Sequence, residues 1–298
     1  MRLLFVHGRA QEGRTSQAIR DEWVAALNAG LQKAGRPKLS IVPDVPFYGD
    51  LLIDLTRSFA EAMPADMREL GRDDDFRRFL EQFAVEVNNK APVAPEAVQR
   101  AFPSAAAAEL AGADVEDFKE RGPQNWWWVQ AIIRAIDERF PGVSADAISL
   151  ILRDVYVYLT DARVQSAISN KVAALLTPEP TVVVGHSLGS VVAYNILSKS
   201  PTARVLRYVT VGSPLGIHAV RERLGGPPAI PAAVGNWYNA RDRRDVVALN
   251  PLLDPFFKTK PDISNNDDVN NTSDNRHHIS HYLDDPAVAS KIADALVA

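Results

Sequence analysis

The chain has 298 residues, enough to bury a large core, and its composition of 46% hydrophobic and 23% charged residues is ordinary for a globular domain. Its 33 Lys and Arg against 37 Asp and Glu give a net charge of −4, so nothing in the composition points to nucleic acid as a partner. The lack of cysteine excludes disulfides, thiolate metal sites and a cysteine nucleophile, which leaves covalent chemistry to serine, threonine, lysine or a carboxylate.

The first elements in chain order predict a βαβ unit. Residues 2–8 form an apolar run that ends in glycine, and residues 15–35 carry apolar side chains at helical spacing. A second apolar run, residues 39–43, is predicted to be the next strand. This order implies a parallel sheet.

Residues 47–176 are predicted to form a large, mostly helical insertion in a single domain that spans residues 1–298. The insertion contains three consecutive tryptophans at 126–128, which cannot all face one side of a helix. They are predicted either to line an acyl pocket, as a cap would, or to pack the insertion onto the sheet.

Strands are predicted to resume after the insertion, and a helix is predicted to close the chain. No strand is predicted between Asp245 and His277. The predicted strands cover residues 181–185, 204–212 and 234–239, and the predicted helix covers residues 285–298.

The stretch TVVVGHSLGSVVAYNIL, residues 181–197, places Ser187 between two glycines at a predicted strand-to-helix turn. A serine hydroxyl is a weak nucleophile near neutral pH, so it needs a base, exposure to substrate and backbone donors for the developing oxyanion. A tight turn into a helix N-terminus supplies the last two. The pattern Gly-x-Ser-x-Gly is weak alone, and the flanking strand and helix make it specific.

The sequence VVVGHSLGSVVAY resembles the nucleophile elbow of the α/β-hydrolase superfamily, and TVGSPLG, residues 210–216, resembles a strand end in its lipase-like branch. The resemblance implies a mostly parallel sheet flanked by helices, here with a helical cap inserted before the nucleophile strand. It also implies the chain order serine, acid, histidine. Only His277, His278 and His281 follow a plausible acid.

The same resemblance ranks the partners of Ser187. It favours His277 as the base, with His278 as the alternate and His281 third. The sequence Asp-Val-Val at 245–247 matches the family's acid pattern, so Asp245 is preferred, with Asp242 as the alternate acid. The carboxylate that is not used is expected to pair with a neighbouring arginine.

The motif VHGR at residues 6–9 resembles the family's His-Gly motif, and this resemblance implies an oxyanion hole built from the backbone amides of Leu188 and Arg9. His7 and His186 are expected to hold local structure rather than to react. His277 and His281 are four residues apart, a spacing that suits zinc on a helix, but no cysteine or further free histidine lies nearby to complete a site.

These features predict a serine hydrolase that cleaves carboxylic esters through a Ser187 acyl-enzyme, in the manner of a lipase or esterase. A thioesterase, amidase or acyltransferase would use the same triad, and a non-catalytic relative acting as a binding or signalling module is the alternative outside enzymes. We expect a small-molecule or acyl-ester substrate, no cofactor, no metal and no nucleic acid. No apolar run suits a membrane span, so we expect a cytoplasmic chain, with peripheral lipid contact and oligomeric state left open.

Overall fold

The computed structural model describes residues 1–62, 74–90, 144–272 and 275–297. The strands of these residues form one five-stranded sheet that is parallel throughout, in the order β1-β2-β3-β4-β5. The α/β class predicted from the sequence is therefore confirmed. The strands are β1 (Arg2–Val6), β2 (Thr181–His186), β3 (Val205–Val211), β4 (Trp237–Ala240) and β5 (Ser264–Asn266).

The predicted strand at residues 39–43 does not form. Among the described residues, pairing on the side of β1 away from β2 is limited to a parallel bridge between Leu4 and Asp44. In this bridge the N–H of Asp44 donates to Leu3, and its carbonyl oxygen accepts from Phe5. Pro43 immediately precedes Asp44 and lacks the N–H that a longer ladder would need. The pairing at this edge of the sheet is therefore only one residue long.

The second difference from the predicted strands is β5. Its three residues, Ser264–Asn266, pair with β4 in parallel register. The run Ser-Asn-Asn has neither apolar alternation nor β-branched side chains, so the usual strand signals are missing.

One face of the sheet is covered by α1 (Ser16–Lys33), α8 (Ile279–Leu283) and α9 (Pro286–Val297). Leu3 and Phe5 of β1 belong to the apolar cluster on this face. Leu4 and Val6 belong to the cluster on the opposite face, as the period of two in a strand requires.

The opposite face carries the remaining helices of the described residues. Their buried side chains form a large apolar cluster with β2 and β3. None of the helices in the described ranges has both the length and the apolar character of a membrane-spanning segment. These helices are α2 (Gly49–Ala62), α3 (Asp74–Lys90), α4 (Ala145–Thr160), α5 (Ala162–Ala173), α6 (Leu188–Ser198) and α7 (His218–Arg221).

The described parts of the predicted insertion, residues 47–176, are mainly helical, since they contain α2 to α5. The tryptophans at 126–128 lie outside the described residues.

The direction of chain connectivity reverses at β1: α1 leads to Asp44 on one side of β1, and the insertion leads back to β2 on the other side. In parallel α/β sheets such a reversal leaves a crevice at the carboxyl ends of the strands.

Candidate active site

Ser187 lies at the reversal point, in the turn between β2 and α6. Its backbone has φ 53° and ψ −130°, a conformation that costs a non-glycine residue about 1–3 kcal/mol. Glycines make the turn tight. A Cβ at residue 185 would lie 2.8 Å from Cα of Ser190, and a Cβ at residue 189 would collide with the carbonyl oxygen of Val6. The sequence therefore holds the serine in a strained, defined position.

The hydroxyl of Ser187 is buried and has no hydrogen-bond partner among the described residues. The loop after β1 passes beside it because residue 8 is glycine: a Cβ there would lie 2.8 Å from Cβ of Ser187. Buried polar atoms are usually hydrogen-bonded, so an unpartnered hydroxyl points to a functional position.

His277 and Asp245 form a buried pair. Nδ1 of His277 lies 2.7 Å from Oδ2 of Asp245, and both side chains are almost fully buried. Because a carboxylate accepts, Nδ1 is the donor, which leaves Nε2 of a neutral ring as the acceptor. Nε2 has no partner in the described structure. The ring is therefore oriented to accept a proton at Nε2.

Asp245 is fixed by further donors. Its Oδ1 accepts the backbone N–H of Val247 at 3.0 Å and of Ala248 at 3.4 Å. The hydroxyl of Tyr282 donates to Oδ2 at 2.7 Å, and burial raises the pKa of Tyr282 well above its usual value, so this donor stays protonated. Hydrogen bonds of this kind favour the charged form of a carboxyl group.

Gly212 makes room for this pair at the end of β3. Its φ is +56°, and a Cβ there would lie 3.2 Å from Cε1 of His277 and 3.3 Å from Oδ2 of Asp245. The motif TVGSPLG contains this glycine, but the motif alone does not indicate its role. A positive φ and the close approach of the two side chains both favour glycine here.

His186 supports the segment that carries His277. Its Nε2 donates to the carbonyl oxygen of His277 at 2.9 Å, and the two rings lie 4.8 Å apart. Burial lowers the pKa of His186 well below its usual value, so the ring is neutral. This agrees with the expectation that His186 holds local structure.

The alternate candidates are bound to other partners. Asp242 pairs with Arg244 at 2.9 Å and accepts the backbone N–H of Asn271 at 2.8 Å. His278 is partly exposed and accepts the N–H of Ser280 at 3.3 Å, which caps α8. His281 lies 3.9 Å from Asp284. The residue brought to Asp245 is His277.

The residues predicted to supply the oxyanion donors belong to segments beside Ser187. Leu188 is the first residue of α6, and N–H groups of a first helical turn have no partner within the helix. Arg9 follows Gly8, whose backbone packs against Ser187. Both amides belong to segments in contact with the serine, as an oxyanion hole would require.

A cavity of about 460 Å³ opens onto Ser187 and His277. Its walls come from the loop after β1, from the start of α4 and from the segment 275–279. The other residues that line it are Arg9, Ala10, Gln11, Arg14, Glu22, Ser144, Asp146, Ala147, Leu150, Ile151, His186, Asn275, His278 and Ile279.

No group of three or more His, Asp or Glu side chains in the described ranges is arranged to hold a metal ion. His277 lies before α8 rather than within it, so the four-residue spacing to His281 does not place both rings on one helical face.

Comparison of the chain with protein-family models, curated proteins and solved structures found no match. The chemistry of this site is therefore inferred from its own residues.

Proposed function

We propose that this chain is a serine hydrolase of the α/β-hydrolase type, which cleaves carboxylic esters through an acyl-enzyme on Ser187. One observation carries the proposal. A strained serine with an unpartnered hydroxyl shares a cavity with a histidine whose Nδ1 is bound to a carboxylate and whose Nε2 is unpartnered. These are the components of a nucleophile, a base and an orienting acid.

In the proposed reaction, Nε2 of His277 takes the proton of Ser187 as the serine oxygen attacks the ester carbonyl. Asp245 stabilises the resulting imidazolium, and the amides of Leu188 and Arg9 bind the oxyanion. The imidazolium then gives its proton to the departing alcohol, and the acyl group stays on Ser187. Water, deprotonated by His277, releases the acid and restores the serine.

The arrangement of the sheet supports the α/β-hydrolase assignment. Ser187 follows a central parallel strand at the point where connectivity reverses, and the chain order is serine, acid, histidine. Ala147 and Ile151 of α4 line the cavity, which supports a cap role for the insertion.

Fluorophosphonate labelling tests the proposal. Intact-protein mass spectrometry of the full chain should show one adduct, and peptide mapping should locate it on Ser187. Ser187→Ala should abolish labelling and lower kcat for p-nitrophenyl esters by about 10⁴-fold or more.

The matched control is Ser198→Ala, on the same helix but with its hydroxyl bonded to the carbonyl oxygen of Tyr194. This variant should keep both labelling and activity. A hydrolytically active enzyme that is labelled elsewhere, or an active Ser187→Ala variant, would refute the proposal.

A further inference from the structure

The side chain of Arg9 is anchored beside the serine by a buried carboxylate. Its Nε donates to Oδ2 of Asp154 at 2.6 Å, and the Asp154 side chain is wholly buried in α4. A guanidinium has five N–H donors in a planar fork. Within the described residues only Nε of Arg9 is engaged, and 17% of the side chain is exposed. Its two Nη groups therefore remain for a ligand.

The charges around Asp154 do not cancel. Oδ1 of Asp154 also accepts from Nη2 of Arg153 at 3.0 Å, so two guanidinium groups share one carboxylate. Burial raises the pKa of Asp154 and both arginines oppose this rise, and even a fully ionised carboxyl group supplies only one negative charge. The cluster carries at least one excess positive charge, and a partly buried excess charge favours an anionic partner.

Arg9 lines the same cavity as Ser187 and His277. The other cavity-lining arginine of the described residues, Arg14, is committed to Glu22 at 2.7 Å. Asp146 also lines the cavity but is exposed, and at 1.5 Å per helical residue it lies about 12 Å along α4 from Asp154. At about 0.1 M salt, where the Debye length is about 10 Å, an exposed charge at that distance is largely screened.

We propose that Arg9 binds a carboxylate group of the substrate, so that the preferred ester carries a carboxylate near the scissile bond. This inference rests on the proposed function and names its substrate class. The end-on pair of Nη groups matches the two oxygens of a carboxylate in a planar, bidentate contact. Asp154, by occupying Nε, holds that pair in a fixed orientation.

The test measures binding in the Ser187→Ala background by calorimetry at about 0.1 M salt. Two ester pairs are compared, each an anion and its neutral methyl ester. 3-Acetoxybenzoate carries the carboxylate on the alcohol part, and monophenyl adipate carries it on the acyl part. The anion of at least one pair should bind about tenfold more tightly than its neutral twin.

Arg9→Gln should remove this preference, and Arg9→Lys should retain part of it because the charge remains without the fork. The matched control is Arg153→Gln, which removes a guanidinium from the same carboxylate but from outside the cavity lining. It should weaken the preference less than Arg9→Gln does, because it lowers the excess charge but leaves the Arg9 fork in place. Equal binding of both members of both pairs in the Ser187→Ala protein, or a preference that survives Arg9→Gln, would overturn the inference.

The Ser187→Ala background separates this result from the proposed function. Binding is measured without any chemical step, so it gives an answer whether or not Ser187 is a nucleophile. A chain that reacts with fluorophosphonate at Ser187 but shows no anion preference refutes only the role of Arg9. A chain that shows the preference but is not labelled at Ser187 refutes only the hydrolase.

Discussion

The loop after β1 and the loop before α8 each bury a histidine. The two rings differ in whether Nε2 has a hydrogen-bond partner. In His7, Nδ1 donates to the carbonyl oxygen of Gly8 at 2.8 Å, and Nε2 accepts the N–H of Tyr48 at 3.2 Å. In His277, Nδ1 is bound to Asp245, whereas Nε2 has no partner among the described residues. Burial is nearly the same for both, so the unpartnered nitrogen is what distinguishes the functional candidate.

The two loops also differ in what they contribute to stability. A satisfied buried histidine supports the fold, and His7 also stacks on the ring of Tyr48 with centroids 3.9 Å apart. A buried polar atom without a partner costs about 1–3 kcal/mol. That cost, together with the strained backbone of Ser187, is concentrated at the cavity, where a substrate would supply the missing contacts.

The largest expected effect comes from His277→Gln, which removes the proposed base. kcat/KM for an activated ester should fall by about 10⁴-fold or more, because Ser187 would have no group to take its proton. His7→Gln and His278→Gln should each lose less than about tenfold in the same assay. A loss from His278→Gln as large as that from His277→Gln would move the base to the alternate histidine.

Asp245→Asn should have the next largest effect. An amide would accept poorly from Nδ1 and could stabilise the wrong tautomer, which lowers kcat by about 10⁴-fold in serine proteases that use this arrangement. Asp242→Asn is the matched control from the same loop. It should lower the melting temperature, because Arg244 and Asn271 lose a charged acceptor, while kcat falls less than about tenfold. The reverse ranking of the two activities would reassign the acid.

The sequence predicts the serine turn well because its determinants are local. Gly185 and Gly189 lie within two residues of Ser187, and the apolar run of β2 precedes them directly. The apolar runs of β1 and β2 are local signals too, since strands of a parallel sheet are buried on both faces, and β3 is apolar apart from Arg207 and Thr210.

The acid, its tyrosine partner and β5 depend on contacts between residues that are distant in the chain. Choosing Asp245 over Asp242 requires knowing which carboxylate meets residue 277, and the role of Tyr282 requires knowing that its hydroxyl reaches residue 245. β5 exists because an edge strand can form from polar residues when β4 offers unpaired backbone groups. The local pattern Asp-Val-Val favours Asp245 only through the family resemblance, and no local pattern shows the contact of Tyr282 or the pairing of β5.

The third prediction concerns acid stability and the satisfied histidine. Burial lowers the pKa of His7 from 6.5 to about 4, so between these values the unfolded chain binds more protons than the folded chain. The free energy of unfolding should therefore fall as the pH drops from 6.5 to about 4, with His7 contributing about 3 kcal/mol. Urea unfolding of His7→Gln should show a correspondingly smaller loss over this interval. Parallel curves for both proteins would contradict the assignment.

The smallest effect is expected from Tyr282→Phe, which keeps the ring and removes one donor from Asp245. Tyr282 and Nδ1 of His277 share Oδ2 of Asp245, and each donor reduces the negative charge available to the other. Without the hydroxyl, Asp245 should hold the imidazolium more strongly. The midpoint of the rise of kcat/KM with pH should move upward by about 0.7 unit, since a net hydrogen bond is worth about 1 kcal/mol.

A merely structural role for Tyr282 would lower stability without moving that midpoint. The hydroxyl also accepts the backbone N–H of Asp242 at 3.2 Å, so some loss of stability is expected in either case. Tyr158→Phe is the matched control, because Tyr158 is buried and its hydroxyl bonds to Ser169, away from the cavity. It should lower the melting temperature and leave the midpoint in place. If Tyr282→Phe behaves in the same way, Tyr282 supports the loop alone and has no part in setting the charge of Asp245.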